Sequence, residues 1–219
     1  MKRRTLILAL DVLVFLVVVY ASISMITISK DSVLVTGGLG AFKYYTVDSN
    51  ILCAITSLIC ATWMLLNRDK DLPDALYVLH MTGVAVVSVT FVVVIIFLGP
   101  RLGYALMYTG VSFWLHLVAP VFAIIAQILL KHQDQLRMRS TCWTVVPTIV
   151  YGVFYVTANV VNWTGKTNRA TDIYGFLTWG WAIGAVILVA ICVMNWLIAL
   201  LYWKIGQTKA GDTKERGNR

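Results

Sequence analysis

His116, an ionisable side chain within an apolar run, and hydroxyls such as Thr46 and Ser49 on another run are groups whose types could do chemistry inside a membrane. A threonine hydroxyl attacks a carbonyl only when a base takes its proton, and histidine is the side chain whose ordinary pKa suits that task near neutrality. Each belongs to a polar stripe. Thr46, Ser49, Asn50, Cys53, Ser57 and Cys60 recur at spacings of three and four, which aligns them on one helical face. Thr109, Ser112, His116, Ala119, Ala123 and Gln127 follow the same period. Pro120 comes four residues after His116, so its missing amide hydrogen predicts a kink and a free His116 carbonyl. Ser49 and Asn50, one turn along from Thr46, are candidate oxyanion donors, and Ser112 is a candidate substrate contact. Asn159 and Tyr155, with Asn162 and Tyr151, add polar surface that suits a carboxylate or headgroup, or mutual hydrogen bonds.

Small and hydroxylated residues at such spacings also let membrane helices pack closely, and Cys53 to Cys60 are read as packing. His116 is different, because a neutral imidazole in hydrocarbon needs partners for both a donor and an acceptor nitrogen. His80, at the inner start of the third apolar run, and His132, in a charged loop, are read as structural. A haem would need two histidines at matched depth, and no His, Cys and carboxylate cluster stands within the runs, so no cofactor or metal is expected.

The elements that must hold these residues are membrane spans. Of the 219 residues, 59% are hydrophobic and 13% charged, with a mean hydropathy of +0.80. That excludes disorder and a water-soluble enzyme. Apolar runs at 5–28, 44–66, 75–98, 104–130, 142–162 and 174–203 are each long enough for a transmembrane helix. The expected fold is therefore all-α, a six-transmembrane-helix bundle. The first run, about 24 residues long and without a small-residue cleavage motif, reads as a retained span. Lys2, Arg3, Arg4, Arg68, Lys70, Lys131, Arg137, Arg139, Lys204, Lys209, Lys214, Arg216 and Arg219 fall on one side of the bundle. Only Lys30, Lys43, Arg101, Lys166 and Arg169 fall on the other, which places both termini in the cytoplasm. The net charge of +8 thus reports topology, and no nucleic-acid partner is expected. Aromatic belts are expected, with Tyr44, Tyr45, Tyr104, Trp163, Tyr174 and Trp179 outside and Tyr77, Trp143, Tyr202 and Trp203 inside. Residues 204–219 read as a disordered basic tail. Counting rise per residue puts Thr46 about 6 Å and His116 about 18 Å below the outer interface, a gap that tilt, a sunken second helix or the Pro120 kink must close; otherwise Ser49 or Asn50 is the nearer partner of His116.

The segment from Phe42 to Leu52, with its aromatic-Thr-x-x-Ser-Asn start, and His116-Leu117-Val118-Ala119-Pro120 resemble the androgen-induced and androgen-dependent family of membrane threonine hydrolases. The closer likeness is to that family's bacterial integral-membrane relatives. It extends over the six-span layout, through Tyr151 to Asn162 and Asp172-Ile173-Tyr174-Gly175-Phe176-Leu177. The resemblance implies a multi-pass protein of a bacterial cell membrane that hydrolyses lipid esters, such as those of fatty acids with hydroxy fatty acids. It also implies a catalytic threonine and histidine, which map onto Thr46 and His116. The expected partners are a lipid or acyl-chain substrate and the bilayer. The rival is a non-catalytic lipid or small-molecule binder or carrier that uses the same cavity.

Overall fold

The computed structural model describes residues 2–27, 38–130, 136–166, 168 and 170–217. His132, Lys30, Lys131 and Arg169 lie outside the described residues. Every regular element among the described residues is helical. Among the described residues, six segments are long and apolar enough to cross a bilayer: Arg3–Thr27, Tyr45–Leu66, Asp74–Leu102, Val111–Leu129, Met138–Val161 and Trp181–Gln207. This layout fits a multi-pass integral membrane protein.

The first span is α1 (Lys2–Thr27) and the second α2 (Tyr45–Leu66). The third joins α3 (Asp74–Val93), a π-helical turn Val94–Leu98 and α4 (Gly99–Leu102). A short α5 (Tyr104–Met107) precedes the fourth span, which joins α6 (Val111–Phe113), a π-helical turn Trp114–Val118 and α7 (Ala119–Leu129). The 3-10 helix Met138–Val145 leads into α8 (Val146–Val161), and α9 (Trp181–Gly217) closes the chain.

The third span is the axis of the bundle. Every residue from His80 to Thr90 is buried, which is why this run is apolar all round rather than striped. It packs against α2, α7, α9 and the Met138–Val145 helix. Gly83 makes the α2 contact close: a Cβ there would stand 2.0 Å from Thr56 Oγ1 and 3.0 Å from Cys53 Cα. Cys53, Ser57 and Cys60 are all buried in α2, so the lower stripe serves packing.

At one end of the bundle the arginines of α1 cap other helices. Arg3 donates to the Leu129 carbonyl, and Arg4 to those of Met64 and Asn67, at 2.9 and 2.6 Å. These are the orphan carbonyls at the C-termini of α7 and α2, where a cation also meets the negative end of each helix dipole. Trp203 Nε1 and Gln207 Nε2 both donate to Leu136 O, at 2.7 and 3.0 Å, which ties the sixth span to the start of the fifth. We call this the basic end.

Several boundaries move. The fourth span begins at Val111, not 104, because Gly103 (φ 95°) and Gly110 (φ 58°) break the chain on either side of α5. The sixth begins at Trp181, not 174, because Gly175 (φ 67°) and Gly180 (φ 90°) bracket a 3-10 turn Phe176–Trp179. The backbone is helical through Gly217, past the boundary drawn at 203. Gly206 lets this extension approach α3, since a Cβ there would meet Tyr77 Oη at 2.5 Å. Tyr77 and Tyr202, expected in an aromatic belt, are instead buried. Tyr202 Oη lies 2.7 Å from Ser88 Oγ, so these phenols seal α9 against α3.

Candidate active site

The break at Gly110 narrows the depth gap between the two expected catalytic residues. His116 is five residues into a helix that starts at Val111, about 8 Å along its axis, rather than twelve residues into one that starts at 104. Thr46 is the second residue of α2, at the same end of the bundle. The turn Trp114–Val118 adopts π register, with the Ala119 amide on the Trp114 carbonyl. In that register the acceptor that Pro120 leaves orphaned is Leu115 O. Asn50 supplies the missing donor: its Nδ2 lies 3.1 Å from Leu115 O and 2.7 Å from Thr46 O. One side chain therefore ties the start of α2 to the turn that carries His116.

His116 is buried, and its Nδ1 lies 2.8 Å from the Met107 carbonyl. A carbonyl only accepts, so Nδ1 carries the proton, and in the neutral ring Nε2 keeps its lone pair. Nε2 has no hydrogen-bond partner among the described residues. Met107 ends α5, so the break that shortens the fourth span also supplies the group that fixes the tautomer.

His116, Thr46 and Ser112 line one cavity, together with Met107, Leu115 and Tyr174. A second chamber adjoins it, with Val89, Val93, Val94, Leu188 and Ile191 in its wall. Thr46, Leu98 and Tyr174 line both. The threonine thus stands where a largely apolar cavity with a few polar groups, His116 and Ser112 among them, meets an almost wholly apolar one. The Tyr174 hydroxyl accepts the Tyr45 amide at 2.8 Å, and burial pushes its phenol up to about 12, so it stays protonated at neutral pH.

The remaining expected site residues divide. Ser112 faces the His116 cavity. Ser49 does not: its hydroxyl is buried, donates to Thr46 O at 3.2 Å and lies 2.9 Å from Thr90 Oγ1 on α3. Asn50 gives its amide to two carbonyls, so neither residue is available as an oxyanion donor. Helical periodicity placed Ser49 and Asn50 on the correct face, but that face also meets α3 and the π turn. Asn159 and Tyr155 lie outside both cavities and hold the loop before α9. Asn159 Nδ2 donates to Tyr155 O and Thr171 O at 2.9 and 3.2 Å, and Tyr155 Oη donates to the Asp172 carboxylate. The other Asp172 oxygen accepts the Leu177 amide at 3.2 Å. This network fixes Tyr174, which sequence reasoning had assigned to an aromatic belt.

A second polar cluster was not anticipated. Asp11 in α1, His80 in α3 and Gln127 in α7 are buried together near the basic end. His80 Nε2 lies 2.9 Å from Asp11 Oδ1, and its Nδ1 lies 2.7 Å from Gln127 Oε1. His80 is thus deep in the core rather than at an interface. The signal was present: Asp11 is the one carboxylate within the first apolar run, and an ionisable residue in a span is costly unless it is partnered. No group of three or more His, Cys, Asp or Glu among the described residues is placed to hold a metal ion.

Comparison of the chain with protein-family models, with curated proteins and with solved structures finds no significant match.

Proposed function

We propose that this chain is an intramembrane hydrolase of lipid-like carboxylic esters, with Thr46 as nucleophile and His116 as general base. The observation that carries the reading is the His116 tautomer: Nδ1 is committed to Met107 O, which leaves the basic Nε2 in a cavity that Thr46 also lines. His116 Nε2 takes the Thr46 proton as Oγ1 bonds to the ester carbonyl carbon, and returns it to the alkoxide as the ester C–O bond breaks. Water then enters by the same route and releases the acid. The apolar chamber beside Thr46 suits the acyl chain, and the His116 cavity suits the alcohol portion. Fatty acid esters of hydroxy fatty acids, which carry an aliphatic chain on each side of the ester, suit two largely apolar chambers. Both termini lie in the cytoplasm in this reading, because the basic end then faces the side that retains Lys and Arg.

One observation favours a binder or carrier instead. Thr46 and His116 share the cavity with no direct hydrogen bond between them among the described residues. Purified protein assayed on a panel of lipid esters decides between the two. The hydrolase reading expects turnover that falls about 10²–10⁴-fold in both Thr46→Ala and His116→Ala. Turnover that survives His116→Ala contradicts the mechanism. Saturable lipid binding without turnover on any ester selects the carrier.

A further inference from the structure

Ser49 and Asn50 spend their donors on helix contacts, so the charge that develops on the ester carbonyl oxygen needs another donor. Tyr174 meets the requirements of position and chemistry. It and Thr46 are the only polar residues among the described ones that line both cavities, which places the phenol where an ester straddling them has its carbonyl. Its oxygen already accepts the Tyr45 amide in the first turn of α2, one residue from the nucleophile. A hydroxyl that accepts a hydrogen bond becomes a better donor, and here the accepted proton comes from the positive end of a helix dipole. The ring is held on a preorganised loop. Asp172 is clamped by Tyr155 Oη and the Leu177 amide, Gly175 turns the chain at φ 67°, and the Phe176 ring stacks on Tyr174 at 5.2 Å between centroids. Oxyanion stabilisation depends on such a donor being fixed in advance rather than recruited during the reaction.

We infer that Tyr174 is a catalytic residue whose phenolic O–H donates to the carbonyl oxygen of the ester as Thr46 attacks. This inference rests on the hydrolase reading. As the Thr46 Oγ1–carbon bond forms, the carbonyl π pair moves onto oxygen and is held by the Tyr174 hydrogen bond. His116 Nε2 carries the proton from Thr46. When the tetrahedral intermediate collapses, the C=O bond re-forms, the bond to the alcohol breaks and His116 protonates the leaving oxygen. Tyr174 keeps its proton throughout. Tyr155, Asp172 and Asn159 are positioning residues for it.

The test compares wild type with Tyr174→Phe on a turned-over lipid ester, and with full-length protein carrying 3,5-difluorotyrosine at position 174. Tyr174→Phe should lower kcat about 100-fold with KM changed less than about 3-fold. The difluoro phenol keeps the oxygen that accepts the Tyr45 amide but ionises at lower pH, so the alkaline limb of the kcat profile should move to lower pH. A structural tyrosine would leave that limb in place. Unchanged kcat in Tyr174→Phe, or an unmoved limb, overturns the inference while wild-type turnover leaves the hydrolase reading standing. Absence of wild-type turnover on every ester removes the hydrolase reading and this inference with it.

Discussion

His116 and His80 sit in opposite halves of the bundle and satisfy the same side chain in opposite ways. His80 is fully enclosed, with one nitrogen on Asp11 and the other on Gln127, so every polar atom of the ring is spent. His116 spends one nitrogen on a backbone carbonyl and turns the other toward a cavity. A ring with both nitrogens bonded and no adjoining space tethers helices, here α1, α3 and α7. A ring with one nitrogen anchored and one open is oriented for proton transfer. The residue type is equal in both places, and what differs is the element beside it: a continuous buried helix for His80, a stretch broken by Gly103 and Gly110 for His116.

Asp11→Ala should give the largest stability change. It leaves a buried imidazole without its counter-charge, and breaking such a pair costs about 3–5 kcal/mol. Unfolding in detergent should show this loss. The double variant Asp11→Leu/His80→Leu should recover part of it, because apolar replacement of both members is close to neutral. A single Asp11→Ala as stable as wild type would end the tethering role. His116→Ala in the same assay should cost only about 1 kcal/mol, one backbone-directed hydrogen bond.

Gly83→Ala tests the closed half from its packing side. The new Cβ meets Thr56 and the Cys53 backbone, so α2 and α3 must separate, at about 1–3 kcal/mol. Ester turnover per folded molecule should hold, because neither cavity includes that contact. Ser49→Ala should have the smallest effect, about 1 kcal/mol from the lost Thr90 hydrogen bond, with turnover within a few-fold of wild type. A 100-fold loss of turnover there would return Ser49 to the oxyanion role.

The spans were legible because hydrocarbon demands long apolar runs, and the second agrees to within a residue, 44–66 against Tyr45–Leu66. Turn chemistry hidden inside apolar composition was not legible. Tyr104 to Met107 and Tyr174 to Trp179 are as hydrophobic as a helix, and only Gly103, Gly110, Gly175 and Gly180 mark the breaks. Those breaks matter most for the site, since they set the depth of His116, supply Met107 O and place Tyr174. The stripes around Thr46 and His116 were visible from their spacing, but periodicity names a face and not the neighbour opposite it. Ser49 and Asn50 therefore resembled catalytic donors, although Thr90 and the orphaned Leu115 carbonyl claim them. Asp11 was readable as a lone charge in a span, but its partners on α3 and α7 are long-range and left no mark in sequence spacing.

Covalent labelling tests the contrast between the two histidines most directly. Purified protein is treated with a long-chain alkyl fluorophosphonate, which traps an activated hydroxyl, and the modified residue is mapped by peptide mass spectrometry. The proposed roles predict a single adduct on Thr46 that persists in folded His80→Gln and is lost in His116→Ala. Labelling of Thr46 that is equally strong without His116, or an adduct on another hydroxyl, contradicts them.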